Sequence, residues 1–343
     1  MLSLKKYPVI LAIESSCDDT AVSIMKGDVV LSNIIGIQQV HNYYGGVVPE
    51  LASRSHQKEI VPLIHQAIML SNINKIDAIA FTRGPGLIGS LLVGSSFAKS
   101  LAIAWDIPII SVHHIQAHIL AHFIRNELNS TPKFPFLCLT VSGGHTQIVQ
   151  VDDYFKMTLL GKTIDDSVGE AFDKAAKILG LGYPGGIWID RYAQKGKYQK
   201  FLFSKPQIKN LDFSFSGFKT QFLYFIRKKL QYDSNFIRNN IHDICASVQS
   251  TLVNILFDKV SQAIYKTGIF RIALSGGVSA NSGLRRKFLQ ASNEKNWKLH
   301  LLPLEYTTDN AAMIAMTAKI KYIKGIFDNI NITPTAICDW DNI

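Results

Sequence analysis

Two stretches of the chain repeat one pattern of apolar and polar positions. Pro8 to Met25 and Pro135 to Val151 each begin at proline and run through an apolar-biased segment. Each then turns on small polar residues and resumes as a strand. The pattern predicts strand–turn–strand units, one opening each of two lobes. Apolar runs at 77–82, 107–112, 271–275 and 299–304 predict further strands, and strict alternation from Leu211 to Gly217 predicts another. Helical periodicity appears over 51–69, 90–102, 165–180, 218–230 and 240–266, and from His113 onward. A last helix opens after Thr307, with Thr308 or Asp309 placed to cap it. The 90–102 segment carries small residues on one side, which permit close approach to a sheet, a helix or a partner subunit. Strands alternating with helices predict an α/β protein with ligands at strand C-terminal ends.

The division expected is a first lobe over 1–112, a second over 113–308, and a tail over 326–343. A helix over 309–325 is expected to pack back on the first lobe. Residues 126–134, polar and Pro-containing, read as a junction. Length suits two lobes rather than one core. No stretch of about 20 uncharged apolar residues occurs, so no membrane span is expected. The four cysteines (Cys17, Cys138, Cys245 and Cys338) form no C-x-x-C, which favours reduced thiols and a cytoplasmic setting. A formal charge of +10 points to an anionic partner, nucleic acid first. The plainer source is a Lys-rich composition. The basic groups are Lys195–Lys209, Arg227–Lys229 and Arg285–Lys287.

Candidate chemistry centres on His114, His118 and His122, spaced to share a helical face. With 10 histidines in 343 residues, chance gives roughly 10 × 9/342, about 0.26, such i, i+4 pairs, and two overlap here. Two imidazoles at this spacing can reach one divalent ion; the alternative is a set of buried histidines satisfied by neighbours. No Glu follows the first His, so the general base of an H-E-x-x-H protease is missing. Asp309 could complete a His–His–Asp site with open positions. Three small-residue turns after strands, at 15–20, 142–146 and 275–281, fit a duplicated nucleotide-binding protein without a P-loop or G-x-G-x-x-G. Asp173 could bond ribose hydroxyls or be a solvated helix acid paired with Lys.

These motifs have a family resemblance. Glu14-Ser-Ser-Cys-Asp-Asp-Thr20, Gly45 to Glu50, Gly84-Pro-Gly86, His114-x-x-x-His118, Val141 to Thr146, Gly169 to Lys174, Tyr183 to Gly186, Asp212 to Gly217, Gly276 to Asn281 and Thr308-Asp-Asn310 occur in order. Together they resemble the TsaD/Gcp/YgjD family, tRNA adenosine threonylcarbamoyltransferases of the actin-like, sugar-kinase-like (ASKHA) ATPase superfamily. The resemblance implies a two-lobed, duplicated actin-like fold whose second lobe carries the metal and nucleotide cleft. It also implies transfer of threonylcarbamoyl from threonylcarbamoyl-AMP to the exocyclic amine of the adenosine 3′ of the anticodon. It implies His114, His118 and Asp309 as ligands of a divalent metal, iron(II) ahead of zinc or magnesium. Thr140, Val141, Ser142, Gly143, Gly144, Asp173, Gly186, Asp190 and Asn281 would bind the adenylate, or ATP and AMP. No side chain is implied as catalyst beyond metal and backbone donors. Implied partners are tRNA, a TsaB-like paralogue and a TsaE-like ATPase. Thr140, Ala311 and Ile187 depart from the family pattern, and Asp190 is its loosest position. The rival within the superfamily is a small-molecule kinase, which has no use for a His-x-x-x-His pair. A chaperone-like module would need an appended peptide-binding domain, for which the chain has no room.

Overall fold

The computed structural model describes residues 4–125 and 130–338. It forms two units, Met1–Thr131 with Leu302–Ile343, and Pro132–Leu301. The division therefore falls near residue 131 rather than 112, because the histidine helix packs with the first sheet's elements. Four junction residues, 126–129, and tail residues 339–343 lie outside the described residues.

In the first unit β1 (Val9–Glu14), β2 (Thr20–Lys26) and β3 (Val29–Gly36) form an antiparallel meander. Helix α1 (Pro49–Ser71) follows, with proline at the N-terminal turn, where no intrahelical N–H is needed. Strand β4 (Ala78–Gly84) then pairs parallel with β1. After α2 (Ile88–Trp105), β5 (Ile109–His113) pairs parallel with β4 and leads directly into α3 (His114–Leu120). The sheet order is β3-β2-β1-β4-β5. Strand β1 is buried along its whole length, as a central strand covered on both faces must be. Its core joins Leu11, Ile13, Val22, Ile79 and Phe81 to Ile60 and Ile64 of α1 and Ala98 of α2.

The small side of α2 faces inward. A Cβ on Gly94 would sit 2.1 Å from Ser15 Oγ, so only glycine admits the β1–β2 turn there. Outward it presents Ile88, Leu92, Ile103 and Trp105. Among the described residues α2 is the helix long and apolar enough to cross a membrane, with mean hydropathy 1.3 over 18 residues, yet its inner side is packed on the sheet.

The second unit repeats the plan. Strands β6 (Phe136–Val141), β7 (Thr146–Asp153) and β8 (Lys156–Lys162) form the meander. Then come α4 (Val168–Ile178), α5 (Gly185–Ala193), α6 (Ser216–Tyr232) and α7 (Phe236–Thr267). Strand β9 (Arg271–Ser275) pairs parallel with β6, and after α8 (Ser282–Lys295), β10 (Lys298–Leu301) pairs parallel with β9. The order β10-β9-β6-β7-β8 is the first sheet's order read from the other edge. The chain then returns to the first unit as α9 (Ala311–Ile323), which packs on β1 and β2.

Two sequence expectations fail here. Leu211–Gly217 is not a strand: one bridge, Thr163 to Phe213, is made, and α6 starts at Ser216. Its alternation is real, but Phe213 and Phe215 satisfy it by stacking at 6.1 Å inside the core rather than by pairing in the sheet. The loop read at 182–186 ends in α5, because Gly185 fits where a Cβ would approach the Ala176 Cβ to 2.4 Å.

Candidate metal centre and nucleotide site

The metal candidates lie in the first unit. His113 ends β5 and caps α3, its Nδ1 accepting from the Gln116 backbone N–H at 3.3 Å. That places His114 and His118 one turn apart, ring centroids 4.7 Å apart and nearly perpendicular. Asp309 is not the helix cap that the sequence allowed. Asn310 caps α9, its side chain accepting from Met313 N at 3.0 Å, which leaves the Asp309 carboxylate for the histidines. Its Oδ1 lies 3.0 Å from His118 Nε2 and 3.5 Å from His114 Nε2. The ligand atoms of His114, His118 and Asp309 all lie within 4.8 Å of one another. His122 sits beyond the helix, in a 3-10 turn over Ala121–Phe123, and is not in this cluster.

Glu14, at the end of β1 and fully buried, decides what the cluster suits. Its carboxylate accepts from Ser16 N at 2.6 Å, from Thr82 Oγ1 at 2.6 Å and from His114 Nδ1 at 3.1 Å. With its Nδ1 proton donated to Glu14, His114 turns the Nε2 lone pair toward the Asp309 oxygen. Two acceptors facing each other need a cation or a proton between them. Burial opposes charge on His114, but Glu14 and Asp309 outweigh it and hold the imidazole up at about 9. Burial likewise opposes charge on Glu14, and His114 overcomes it, holding the carboxyl below its ordinary range. A carboxylate–histidine pair behind two imidazoles and a carboxylate is the donor set of a divalent metal with open positions. The residues fit the group.

The β1–β2 turn beside it is acidic. Burial first, then Asp18, Asp309, Glu14 and Glu59, push Asp19 up to about 7. Burial and Asp18 also push the Cys17 thiol up. His56 of α1 pins this turn, with Nδ1 2.7 Å from Thr20 Oγ1 and Nε2 3.0 Å from the Cys17 carbonyl. Burial lowers its pKa and favours the neutral ring.

The nucleotide candidates lie in the second unit. After β6, the Ser142 N–H donates to the His145 carbonyl at 2.8 Å, closing a tight turn over Gly143 and Gly144. Among the described residues, their chain neighbours aside, no atom lies within 4 Å of where either glycine would carry a Cβ, so the backbone is uncovered by them on that side. Two other glycines let elements reach the turn. A Cβ on Gly169 would meet the Ser142 carbonyl at 2.5 Å, and one on Gly276 would meet the Val141 carbonyl at 2.3 Å. Thr140 Oγ1 lies 3.0 Å from Ser275 Oγ, tying β6 to β9. Asp173 is bonded within the fold. Its Oδ1 accepts from Gly185 N at 2.7 Å, fixing the start of α5 beside Gly186, while Lys174 pairs with Asp166 and Glu170. Asp190 accepts from Ser282 N at 3.0 Å, and Asn281 caps α8 by accepting from Leu284 N at 3.0 Å.

The basic groups are partly committed within the fold. Lys200 pairs with Asp243 at 2.7 Å and Lys205 with Asp258 at 2.5 Å, while Arg285 Nε donates to the Ser279 carbonyl at 2.8 Å. Arg227 and Lys228 are exposed on α6.

A family model described as "TsaD: tRNA N6-adenosine threonylcarbamoyltransferase" matches residues 29–316. The chain is similar to a tRNA N6-adenosine threonylcarbamoyltransferase of Christiangramia forsetii, 58% identical over 94% of this chain and 96% of that one. One from Riemerella anatipestifer is 56% identical over 96% and 98%. In fold, the chain is similar to full-length HypF in its phosphate- and nucleotide-bound form, with TM-score 0.60 and 14% identity over 94% of this chain and 47% of that chain. It thus spans about half the length of that HypF chain. An activator of 2-hydroxyisocaproyl-CoA dehydratase from Clostridium difficile with bound ADPNP aligns with TM-score 0.50 and 14% identity, over 93% of this chain and 96% of that one.

Proposed function

Because the chain belongs to the TsaD family of tRNA N6-adenosine threonylcarbamoyltransferases, we propose that it uses threonylcarbamoyl-AMP to modify the adenosine 3′ of the anticodon. The tRNAs concerned read codons that begin with adenine. The N6 amine attacks the carbamoyl carbonyl carbon, the bond from that carbon to the phosphate oxygen breaks, and AMP leaves as the amine loses a proton. The observation that carries the reading is the convergence of two imidazole Nε2 atoms on one Asp309 oxygen, with Glu14 behind His114. A phosphotransferring kinase has no use for that arrangement, and the relatives at 58% and 56% identity carry the transferase name.

In this reading the first unit holds the metal and the second the nucleotide. A divalent metal on His114, His118 and Asp309, with iron(II) first, supplies Lewis-acid stabilisation of developing oxygen charge. Glu14 keeps the Nδ1 proton on His114 and so keeps its Nε2 available. The uncovered turn over Gly143 and Gly144 offers their backbone N–H groups to phosphate oxygens. Asp173 meets ribose, while Gly186, Asp190 and Asn281 line the nucleotide. Thr140 and Val141 set the turn's height at the end of β6.

The substrate is tRNA, so the setting is the cytoplasm, in keeping with four cysteines held as thiols rather than in disulfides. The outward Ile88, Leu92, Ile103 and Trp105 of α2 suit a TsaB-like paralogue, and a TsaE-like ATPase completes the assembly. The test is transfer of labelled threonylcarbamoyl from its adenylate to tRNA by the purified chain with those partners. The expected product is modified adenosine beside the anticodon, found by mass spectrometry of the nucleosides. No labelled tRNA, with the γ-phosphate of ATP passed to a small hydroxyl compound and ADP released, would overturn the reading.

A further inference from the structure

Gln249 is a side chain that neither the motif pattern nor the resemblance marks, and it lies in the interior of α7 at 1% exposure. Its Nε2 donates to Asp190 Oδ1 at 2.5 Å and to Asn281 Oδ1 at 3.1 Å. The amide can face only this way, since an ionised carboxylate accepts and cannot donate. One amide nitrogen therefore joins two residues 91 positions apart in sequence, both placed at the nucleotide under the proposed function. We infer that Gln249 is a positioning residue for the adenylate, fixing which polar atoms of Asp190 and Asn281 are left for the ligand.

Hydrogen-bond capacity leads to the same place. Asn281 Oδ1 accepts from Leu284 N at 3.0 Å as the cap of α8, and again from Gln249. Both its lone pairs are occupied, so what Asn281 offers outward is the N–H side of its amide. Asp190 Oδ1 accepts from Gln249 Nε2 and from Ser282 Oγ at 2.6 Å, and Oδ2 accepts from Ser282 N at 3.0 Å. One acceptor position of Asp190 remains. The pair thus presents a fixed donor beside a fixed acceptor, complementary to an adenine edge, where an amine donor adjoins a ring-nitrogen acceptor.

The chain also keeps a residue that makes room for this arrangement. Gly283 lies in the first turn of α8, where glycine is the weaker helix former. A Cβ there would stand 2.7 Å from both Cδ and Oε1 of Gln249, and the nearest atoms belong to that side chain alone. Glycine at 283 accommodates the Gln249 amide rather than the helix. Gln249 Oε1 finds no hydrogen-bond partner among the described residues, so the amide is held from the Nε2 side and is free to be pushed.

The inference rests on the nucleotide reading of the second unit, and AMP titrated calorimetrically into the unaltered chain checks that reading first. Absence of binding there removes the reading and the inference with it. Given binding, two variants test Gln249. Gln249→Met keeps the volume and removes the donor, and AMP affinity is expected to fall roughly tenfold or more, as for loss of a hydrogen bond to a charged group. Gly283→Ala changes no polar atom. It is expected to weaken AMP by pushing the Gln249 amide off Asp190 and Asn281, while the helix preference of alanine keeps the melting temperature close to the parent's. In transfer assays both should raise KM for the adenylate and leave kcat and metal content within twofold. AMP affinity matching the parent in Gly283→Ala, or in a folded Gln249→Met, overturns the inference. So does a fall in kcat at unchanged KM, which marks a structural role. If Gln249→Met does not fold, Gly283→Ala decides alone.

Discussion

The turn after β1 and the turn after β6 occupy the same place in two sheets of the same order, and they have been put to opposite uses. The last register pair of the first hairpin is Glu14 with Ala21, and of the second Val141 with Thr146. In the first unit that strand end is a buried carboxylate, answered by Thr82 of β4, the Ser16 N–H and His114. In the second it is a buried valine, followed by two glycines whose backbone stands uncovered. The first turn concentrates side-chain charge, whereas the second removes side chains. A duplicated scaffold fixes where ligands can approach, and the residues at the strand ends decide whether a cation or an anion is welcome.

The comparison breaks most severely if the charged turn loses its histidines. His114→Ala with His118→Ala should remove bound metal by elemental analysis and lower transfer by several kcal/mol, about three orders of magnitude. AMP binding, a property of the other turn, should stay as it was. Full metal occupancy in that variant would show that the cluster is not the metal centre. The next largest effect comes from making the first strand end resemble the second. Glu14→Val leaves the Ser16 N–H and Thr82 hydroxyl without their acceptor and His114 Nδ1 with only the Ser16 hydroxyl, 3.2 Å away. It should cost about 3–5 kcal/mol by chemical denaturation and weaken metal binding roughly 10–100-fold. A variant as stable as the parent would mean that Glu14 is not needed to hold His114.

Asp19 gives a smaller effect with a definite sign. Its folded pKa of about 7 lies above its ordinary 3.8, so the folded chain keeps a proton that the unfolded chain has lost between those values. Stability from this group therefore falls as pH rises from about 4 to about 7, then stays low. In chelator, Asp19→Asn should gain on the order of 2 kcal/mol at pH 8, reduced by salt, and almost nothing near pH 4. An equal gain at both pH values would show that crowding, not charge, is being relieved. The smallest effect concerns tRNA. Reversing Arg227, Lys228 and Lys229 should flatten the salt dependence of tRNA binding by up to about 0.7–0.9 log units for each phosphate left without its cation, with metal content unchanged. An unaltered slope would move the RNA surface elsewhere, to the partner included.

Much of this was legible in the sequence because its causes are local. The two Pro-initiated strand–turn–strand stretches are β1–β2 and β6–β7, and the spacing of His114 and His118 brings their rings together as expected. What was not legible depends on tertiary partners. Leu211, Phe213 and Phe215 alternate as a strand would, but their burial is met by a helical core. Gly185-Gly186 reads as loop and is the start of a helix, because close packing on Ala176 outweighs propensity. Asp309 looked like a cap until Asn310 took that role. Gln249 and His56 look in sequence like any polar residue on a helix, and only the folded chain shows them buried and bonded across the core.

His118 and Asp309 meet across 191 positions of chain, and the whole second unit is spelled out between them. On a ribosome the order of events follows. The first sheet and the histidine helix emerge early, but Asp309 and the buried helix α9 arrive only after the second unit has been made. Until then the first unit lacks both the Asp309 carboxylate and a wall of its core, so a nascent or truncated chain cannot assemble the His–His–Asp cluster. The His–His–Asp cluster is in effect a receipt for complete synthesis, formed last and only by a chain that has come back to where it began.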